Sequence, residues 1–414
     1  MRAARRDLDV LVVGGGTVGH ALALLLATQA RTRSLAVGLV EPRPPAVALP
    51  GAPEDLRIFA LSRASQHVLT ACGVWQQVAS RSWPYQRMRV WDATDEPSGG
   101  RALAFSAAEA GEPDLGHMVE VAHLQHVLHA AVRRAGIRIE TSPVDSLSVD
   151  EDHARVTLAD GTSLHSALVV AADGAASPVR SLAGIEAAVH DYHQRGVVAF
   201  LRTERPHAET AWQRFLPSGP LALLPVDAGR VSIVWTLPTD EALRVLALDD
   251  AAFGAAVTLA SDGVLGSLTL DSHRDSFPLR RITAASYGAC RTVLVGDAAH
   301  AVHPLAGQGA NLGLLDAAAL VEVLAAAGRR GEDPGDAGPV GRYARWRRAE
   351  AAPLTLGVHA LQRGFCNDVP WLRELRSRGL GWVGASPGWR RQFVRHALGM
   401  AGEAPRLSLG RPLE

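Results

Sequence analysis

The segment from Arg291 to Ala327 restricts the fold of this chain more than any other, because it combines a strand, a turn and a glycine-rich helix start. The apolar run Thr292–Val295 predicts a short buried strand. The turn that follows contains Gly296, Asp297, His300, His303 and Pro304. A long apolar helix is predicted to begin near Gly309, with its first N–H groups unpaired and about half a positive charge at that end. The segment therefore predicts a binding site for an anionic ligand.

Two features of this segment suit a flat, anionic ring with a hydroxylated chain. Gly307 and Gly309 have no Cβ, so a ring could approach their backbone closely. Asp297 follows the end of the predicted strand, where its carboxylate could accept hydrogen bonds from hydroxyl groups. A reduced flavin has both properties, so the segment predicts a flavin site.

A second glycine motif follows the apolar run Leu8–Val13 directly. Gly14 permits a tight turn, Gly16 lets the backbone approach a pyrophosphate, and Gly19 lets the next helix pack on the strand. The second predicted strand ends in Glu41, 22 residues after Gly19. A carboxylate at this position accepts from a ribose 2′-hydroxyl and repels a 2′-phosphate, which favours FAD or NAD over NADP. We find one such motif, so reduced nicotinamide is expected to visit the protein as a transient reductant.

Composition excludes several other classes of function. The 414 residues can bury a large core and are expected to form two domains, with or without a terminal appendage. Basic and acidic residues number 42 each, so no net field favours nucleic acid. All 42 basic residues are arginine, which excludes lysine Schiff bases, pyridoxal phosphate chemistry and a phosphate-binding P-loop. No apolar run reaches the ~20 residues of a membrane span.

The sequence predicts no metal site, and it predicts that the protein resides in a reducing cytosol. Its three cysteines, Cys72, Cys290 and Cys366, are widely separated and form no Cys-x-x-Cys pair. Three histidines on a predicted helix, His123, His126 and His129, fan too widely to hold one metal ion. We expect them to be polar helix surface.

The chain is predicted to alternate between two domains. Alternating apolar residues between Ala187 and Pro278, with short β-like pieces from Gln86 to Ser106, predict an antiparallel substrate sheet. The expected segments are 1–85, 119–186 and 286–340 for the nucleotide-binding domain, 86–118 and 187–285 for the substrate domain, and 341–414 for C-terminal helices. The linker Gly331–Gly341 should precede a helix from about Arg342. The arginine- and tryptophan-rich tail predicts a membrane-surface patch or, equally, a helical appendage or oligomer contact.

Several motifs resemble the class A flavin monooxygenases of the para-hydroxybenzoate hydroxylase type. They are Gly296-Asp297, Pro304 and Gly307-Gln308-Gly309-Ala310-Asn311-Leu312-Gly313; Arg57-x-x-Ala60-Leu61-Ser62; Gly116 to Glu120; Asp173-Gly174-x-x-Ser177-x-x-Arg180; and Ser232-Ile233-Val234-Trp235. The residues of these motifs are most similar to those of the ubiquinone-biosynthesis hydroxylases, and within that group to those of the 2-polyprenylphenol 6-hydroxylases. Val121 replaces the asparagine that often follows Glu120 in the family.

The resemblance implies an α/β fold: a Rossmann-like FAD-binding domain, an antiparallel β-sheet substrate domain and C-terminal helices. It implies hydroxylation of a polyprenylated phenol by O2 and NADH or NADPH, through a flavin C4a-hydroperoxide, in the cytoplasm or peripheral to the inner membrane. The implied FAD contacts are Gly14, Gly16, Val18, Gly19, Glu41, Arg57, Val144, Asp173, Asp297, Pro304, Gly307, Gly309, Ala310, Asn311 and Leu312. His303 and Pro304 would lie nearest the reacting centre.

Other functions stay open at this point. The enzyme could hydroxylate another ring position or a different aromatic substrate, and an FAD-dependent dehydrogenase or reductase would keep both glycine motifs. A redox sensor or scaffold without catalysis would also bind flavin. A flavin halogenase is disfavoured because the chain lacks both a Trp-x-Trp-x-Ile-Pro string and lysine.

Overall fold

The computed structural model describes residues 6–45, 54–301, 308–365, 395, 398–400 and 402–414. The strands in these residues are β1 (Leu8–Val13), β2 (Val37–Val40), β3 (Ile58–Ser62), β4 (Ser82–Tyr85), β5 (Arg87–Asp92), β6 (Leu103–Ser106), β7 (Gly116–Glu120), β8 (Arg138–Glu140), β9 (Val144–Val149), β10 (Ala154–Leu158), β11 (Ser163–Ala171), β12 (Ala187–Thr203), β13 (Thr210–Leu216), β14 (Gly219–Asp227), β15 (Arg230–Pro238), β16 (Leu268–Leu270), β17 (Asp275–Ala284), β18 (Gly288–Ala289), β19 (Thr292–Leu294) and β20 (His300–Ala301).

The helices in the same residues are α1 (Thr17–Thr28), α2 (Arg63–Ala71), α3 (Trp75–Ala79), α4 (Ala107–Ala110), α5 (Val121–Arg134), α6 (Pro178–Leu182), α7 (Thr239–Leu246), α8 (Asp250–Ala260), α9 (Gln308–Arg329) and α10 (Ala337–Phe365). Two 3₁₀ turns cover Gly296–Ala298 and Arg406–Leu409.

The first sheet is an eight-stranded sheet with a parallel centre. Its main path runs β18-β19-β11-β1-β2-β8, and β10 and β9 extend it from β11. The pairs β1 with β2, β1 with β11, β2 with β8 and β11 with β19 are all parallel. Most residues of β1 are fully buried, as expected for a strand covered on both faces. The predicted Rossmann-like half of the fold is confirmed.

The second sheet has nine strands and is mainly antiparallel, with the order β20-β17-β12-β15-β14-β13-β5-β6 and β16 beside β12. Alternation gives its two faces different partners. Val197 and Leu201 belong to the core that contains Phe253 of α8, whereas Val198 and Phe200 belong to a separate apolar core on the opposite face. The predicted antiparallel sheet, with its early contribution from residues 87–106, is confirmed.

A third sheet of three strands, β3-β7-β4, packs against the second sheet. Ile58, Ala60 and Met118 from this sheet contact the same apolar core as Phe200. The chain also crosses between sheets directly after the predicted flavin turn, because β20 pairs with Ile282 and Thr283 of β17. The glycine-rich helix start therefore lies where the three sheets approach one another.

One boundary prediction and one prediction about apolar runs were wrong. Helix α10 begins at Ala337 instead of near Arg342. Pro339 is compatible with this earlier start, because N–H groups in the first turn of a helix have no internal partner. The expectation that no apolar run reaches the length of a membrane span was also wrong. Helix α9 includes an apolar window within Gly309–Arg329 that has a mean hydropathy of 1.6. However, 78% of that window is buried inside the protein. Such burial is typical of a core helix.

A buried histidine lies behind the first glycine turn. His20 is fully buried; its Nδ1 lies 3.1 Å from the carbonyl oxygen of Gly16, and its Nε2 lies 3.1 Å from Nδ1 of His129. The carbonyl only accepts, so Nδ1 of His20 carries the proton and its Nε2 accepts from His129. His129 was expected to be polar surface; it is partly buried and contacts His20, whereas His126 is exposed. Burial lowers the pKa of His20 from 6.5 to about 4.

This pKa predicts a loss of stability in mild acid. Below pH 6.5 the unfolded chain binds a proton at His20 that the folded chain refuses until about pH 4, so the unfolding free energy falls between these values. Between pH 7 and pH 5, we expect this residue to account for about 2 kcal/mol of lost unfolding free energy. Urea unfolding of the protein and of His20→Gln should show a flatter pH dependence in the variant. Parallel pH curves would contradict the prediction.

Candidate cofactor site

The first glycine turn is held against the Asp-Gly motif by close backbone contact. Gly14 has φ +104°, and a Cβ there would lie 2.3 Å from the carbonyl oxygen of Ala172 and 2.7 Å from Cα of Asp173. A Cβ on Gly19 would lie 1.8 Å from the carbonyl oxygen of Gly14. By contrast, a Cβ on Gly16 would meet no atom within 4 Å. Gly14 and Gly19 thus serve packing, and Gly16 leaves the start of α1 open.

The start of α1 offers free backbone donors. Gly16 is its N-cap and makes no side-chain capping bond, and the first turn contains no acidic residue. Unpaired N–H groups at a helix start form an anion site. Any side chain at Gly16 would enter the open space at this helix start, which has no capping side chain. This open space is a cradle that fits the pyrophosphate of a dinucleotide.

Glu41 closes one side of this cradle. Its Oε2 accepts from the N–H of Gly15 at 2.5 Å, and its Oε1 accepts from the N–H of Arg43 at 2.7 Å. The backbone N–H of Glu41 donates to the carbonyl oxygen of Glu140 at 2.8 Å. The chain from Glu140 to Val144, the first residue of β9, therefore starts beside Glu41. Glu41 and Val144 were both expected to contact the cofactor, and the fold brings their two segments together.

The Asp-Gly motif forms a capped turn that reaches the segment after Asp297. Asp173 accepts from the hydroxyl of Ser177 at 2.5 Å and from the N–H of Val179 at 3.0 Å, which fixes the start of α6. Burial raises the pKa of Asp173 above its usual range. Arg180 is buried and donates from Nη1 to the carbonyl oxygen of Ala298 at 2.9 Å. This hydrogen bond joins two motifs that lie over a hundred residues apart.

Helix α9 packs directly on α1 because two glycines meet there. A Cβ on Gly313 would lie 2.5 Å from Cγ2 of Val18 and 3.1 Å from Cα of Gly296. Gly296 has φ +59°, a backbone conformation that favours glycine. Val18 thus contacts both glycines of the second motif, and the two glycine motifs form one continuous surface.

Asp297 projects from this surface and is solvent-exposed, although its neighbours on both sides in the chain are buried. Burial raises the pKa of its carboxyl group, His300 opposes that shift and Asp316 adds to it. A side chain that is accessible to solvent and yet desolvated by surrounding protein lies in a concave surface. Such a carboxylate suits hydrogen bonds from the hydroxyl groups of a ligand, as its position in the sequence predicted.

The first turn of α9 is anchored by Asn311. Its Nδ2 donates to the carbonyl oxygen of Ala60 at 2.8 Å, while its Oδ1 accepts from the N–H of Ser62 at 2.9 Å and the hydroxyl of Ser65 at 2.7 Å. Ser62 also caps α2, because its side chain accepts from the N–H of Ser65. The Asn311 side chain therefore binds protein. Gly309 and Ala310 are partly exposed and Leu312 is buried.

Arg57 is the expected cofactor contact with the weakest geometric support. Its guanidinium pairs in a bidentate manner with Asp55, at 3.0 Å and 2.9 Å, and its side chain is 62% exposed. His303, Pro304 and Gly307 lie outside the described residues.

Sequence reasoning missed one group of residues beneath the turn. Asp316 accepts hydrogen bonds from the N–H of Gly296, from Nε2 of His300 and from Nε of Arg347. A lone acidic residue within the apolar run of α9 was the available signal, since a buried carboxylate needs partners.

Comparisons with known proteins identify the family of the chain. The family described as "FAD binding domain" matches residues 7–347. Ubiquinone hydroxylase UbiL of Rhodospirillum rubrum is 37% identical over 99% of this chain and 95% of its own length. The 3-demethoxyubiquinol 3-hydroxylase of Escherichia coli is 35% identical over 95% of this chain and 98% of its own. The structure of Klebsiella pneumoniae HpxO with FAD and uric acid aligns with TM-score 0.73 at 19% identity, covering 98% of each chain.

Fold, site and family matches together define a flavoprotein monooxygenase of the para-hydroxybenzoate hydroxylase fold. The chain belongs to the FAD-binding monooxygenase family. It is an FAD-dependent hydroxylase, and its cofactor is FAD.

The first two glycines of the first motif should respond differently to substitution. Gly16→Val should leave the melting temperature of the FAD-free protein unchanged and weaken FAD binding by about ten-fold or more, because the new side chain enters the open cradle. Gly14→Ala should destabilise the protein itself, because of positive φ and the Ala172 carbonyl. Thermal melting and flavin fluorescence titration measure both effects.

Gly229→Val is the matched control for Gly16→Val, since a Cβ on Gly229 also meets nothing within 4 Å. It lies in the turn between β14 and β15 and should leave both quantities unchanged. Equal FAD affinity in Gly16→Val and Gly229→Val would argue against the pyrophosphate assignment.

Proposed function

We propose that this enzyme hydroxylates the ring of a polyprenylated phenol in ubiquinone biosynthesis, using O2 and NADH or NADPH. Relatives that act on ubiquinone or its precursors, at 37% and 35% identity over almost the whole chain, are the observation that carries the proposal. We further propose the ring position beside the phenol hydroxyl and opposite the prenyl chain, on the resemblance of Ser232-Ile233-Val234-Trp235 to the 6-hydroxylases. The E. coli relative, a 3-hydroxylase by name, makes the ring position the part most in need of a test.

The inner face of the antiparallel sheet supports an apolar aromatic substrate. Leu224, Val234 and Phe277 pack at the margin of the core between the second and third sheets and stay partly exposed. Phe277 lies over Gly196, where a Cβ would be 3.0 Å from the ring. These side chains form an apolar wall suited to a ring with a hydrocarbon tail.

This wall is connected to the proposed flavin site through β3. Ala60 packs against the same core as Leu224, and its carbonyl oxygen accepts from Asn311 in the first turn of α9. Ser62, at the end of β3, is held by the same side chain, because its N–H donates to Oδ1 of Asn311. The helix start proposed for the flavin ring thus borders the wall proposed for the substrate.

FAD, when bound, would supply the redox chemistry that activates O2 for transfer to the ring. In our assignment the amides near Gly16 bind the pyrophosphate, Glu41 and Val144 flank the adenosine end, and Asp297 holds the ribityl chain. The amide-rich start of α9 would favour an anionic ring by about 0.3–2 kcal/mol. The apolar wall orients the phenol and excludes water. His303 and Pro304 remain our candidates beside the reacting carbon.

We propose the domain division stated above, with the first sheet binding FAD and the second sheet binding substrate. A cytoplasmic location with contact to the inner membrane would suit a tailed phenol. The arginine- and tryptophan-rich segment proposed for that contact, from Arg363 to Met400, falls mostly outside the described residues.

Deleting the gene and identifying the accumulated quinone precursor by mass spectrometry tests the proposal. We expect a prenylated phenol without oxygen at the ring position beside its hydroxyl, because that position is the one proposed for oxidation. Accumulation of a precursor already oxygenated there would contradict the ring position and leave the enzyme class intact. Unchanged quinone content would contradict the function itself.

Complementation of the deletion strain tests the substrate wall. Leu224→Gln should restore little ubiquinone, because it places an amide in the apolar wall, whereas Val189→Gln should restore it fully. Val189 is an apolar residue that is 61% exposed on β12. Equal complementation by the two variants would remove Leu224 from the proposed wall.

A further inference from the structure

A fully buried carboxylate lies beneath the turn that presents Asp297. Asp316 and His300 are 0% exposed and Arg347 is 1% exposed. Oδ2 of Asp316 accepts from the N–H of Gly296 at 2.9 Å and from Nε2 of His300 at 2.6 Å, and Oδ1 accepts from Nε of Arg347 at 2.7 Å. Three donors from three segments of the chain thus converge on one side chain.

The three donors to Asp316 lie on three different elements of the fold. Gly296 immediately precedes Asp297 and opens the 3₁₀ turn. His300 lies on β20, which pairs with β17 of the antiparallel sheet. Arg347 lies on α10, where Tyr343 also donates to the carbonyl oxygen of Leu294 at 2.8 Å. Asp316 therefore connects the turn of Asp297 with the second sheet and with the C-terminal helix.

The position of Asp316 on α9 directs it at the turn. Gly309, Gly313 and Asp316 are spaced four and three residues apart, so they lie on one face of the helix. Gly313 on that face contacts Cα of Gly296 closely, and Asp316 accepts the N–H of the same residue one turn further on. Packing fixes the distance of the turn from α9, and the hydrogen bond fixes its orientation.

The surroundings of Asp316 favour the charged form of its carboxyl group in spite of burial. His300 and Arg347 lower the pKa of Asp316 below its usual range, against the effect of desolvation. A buried ion pair of this kind seldom adds stability relative to an apolar replacement of similar volume. Its better-attested use is to select one geometry among several. The geometry available for selection here is that of the segment from Gly296 to His300.

We propose that Asp316, supported by His300 and Arg347, is a positioning residue for the FAD site: it orients the Gly296–Asp297 turn so that Asp297 faces the cofactor. The inference rests on the assignment of Asp297 to FAD in the proposed function. It assigns a role to a residue that touches neither FAD nor substrate. It also makes α10 part of the cofactor site, because Arg347 reaches Asp316 from that helix.

A double-mutant cycle on FAD affinity tests the inference without reference to catalysis. The dissociation constant of FAD is measured by flavin fluorescence for the protein, Asp297→Asn, Asp316→Asn and the double variant. We expect each single variant to bind about ten-fold more weakly, as for a lost or misplaced hydrogen bond to a charged group. In the Asp297→Asn background, Asp316→Asn should cost less than about three-fold, because the turn no longer carries the group being positioned.

The controls separate positioning from general damage. Glu322→Gln also removes a carboxylate of α9, one that accepts from the N–H of Arg406 at 2.8 Å, and should leave FAD affinity unchanged. A full ten-fold loss from Asp316→Asn in both backgrounds would overturn the positioning role, because independent effects add. An unchanged affinity in Asp297→Asn alone would instead overturn the assignment of Asp297, and with it the basis of the inference.

A second pair of variants keeps the test valid if Asp316→Asn does not fold. His300→Gln retains a donor toward Asp316, and His300→Leu removes it. We expect His300→Leu to weaken FAD binding by several-fold more than His300→Gln, and this difference to vanish in the Asp297→Asn background. Equal affinities of the two His300 variants would overturn the inference.

Discussion

Close contact between α9 and the first strand–helix unit is the constraint on which the rest of the structure depends. The two elements approach within van der Waals distance because Gly313 and Gly296 present no side chain to Val18. A methyl group at Gly313 would lie 2.5 Å from Cγ2 of Val18 and 3.1 Å from Cα of Gly296, so the contact favours glycine. From this contact follow the common surface of the two glycine motifs and the exposure of Asp297 beside the start of α9.

The site is built by elements that are distant in sequence. Gly14 lies against Ala172 and Asp173, Arg180 reaches Ala298, and Asn311 holds Ala60 and Ser62. Each contact joins a different pair of segments around the two glycine motifs. A site held from several directions keeps its donors in place before a ligand binds, which reduces the ordering cost of binding.

Local patterns predicted most of the fold because their physical causes are local. The apolar run Leu8–Val13 coincides with β1, and the predicted antiparallel sheet appears between Ala187 and Pro278. Contacts between distant residues were not predictable in this way. Arg347 lies 31 residues from Asp316, and His129 lies 109 residues from His20. Arg57 illustrates a further limit, since its nearest acceptor proved to be the neighbouring Asp55.

A crystal structure of the protein with FAD tests the account most directly. We predict the pyrophosphate within hydrogen-bonding distance of the amides at the start of α1, and a ribityl hydroxyl on the carboxylate of Asp297 with the ring against the first turn of α9. A flavin bound elsewhere, or one whose ribityl chain makes no contact with Asp297, would contradict the account.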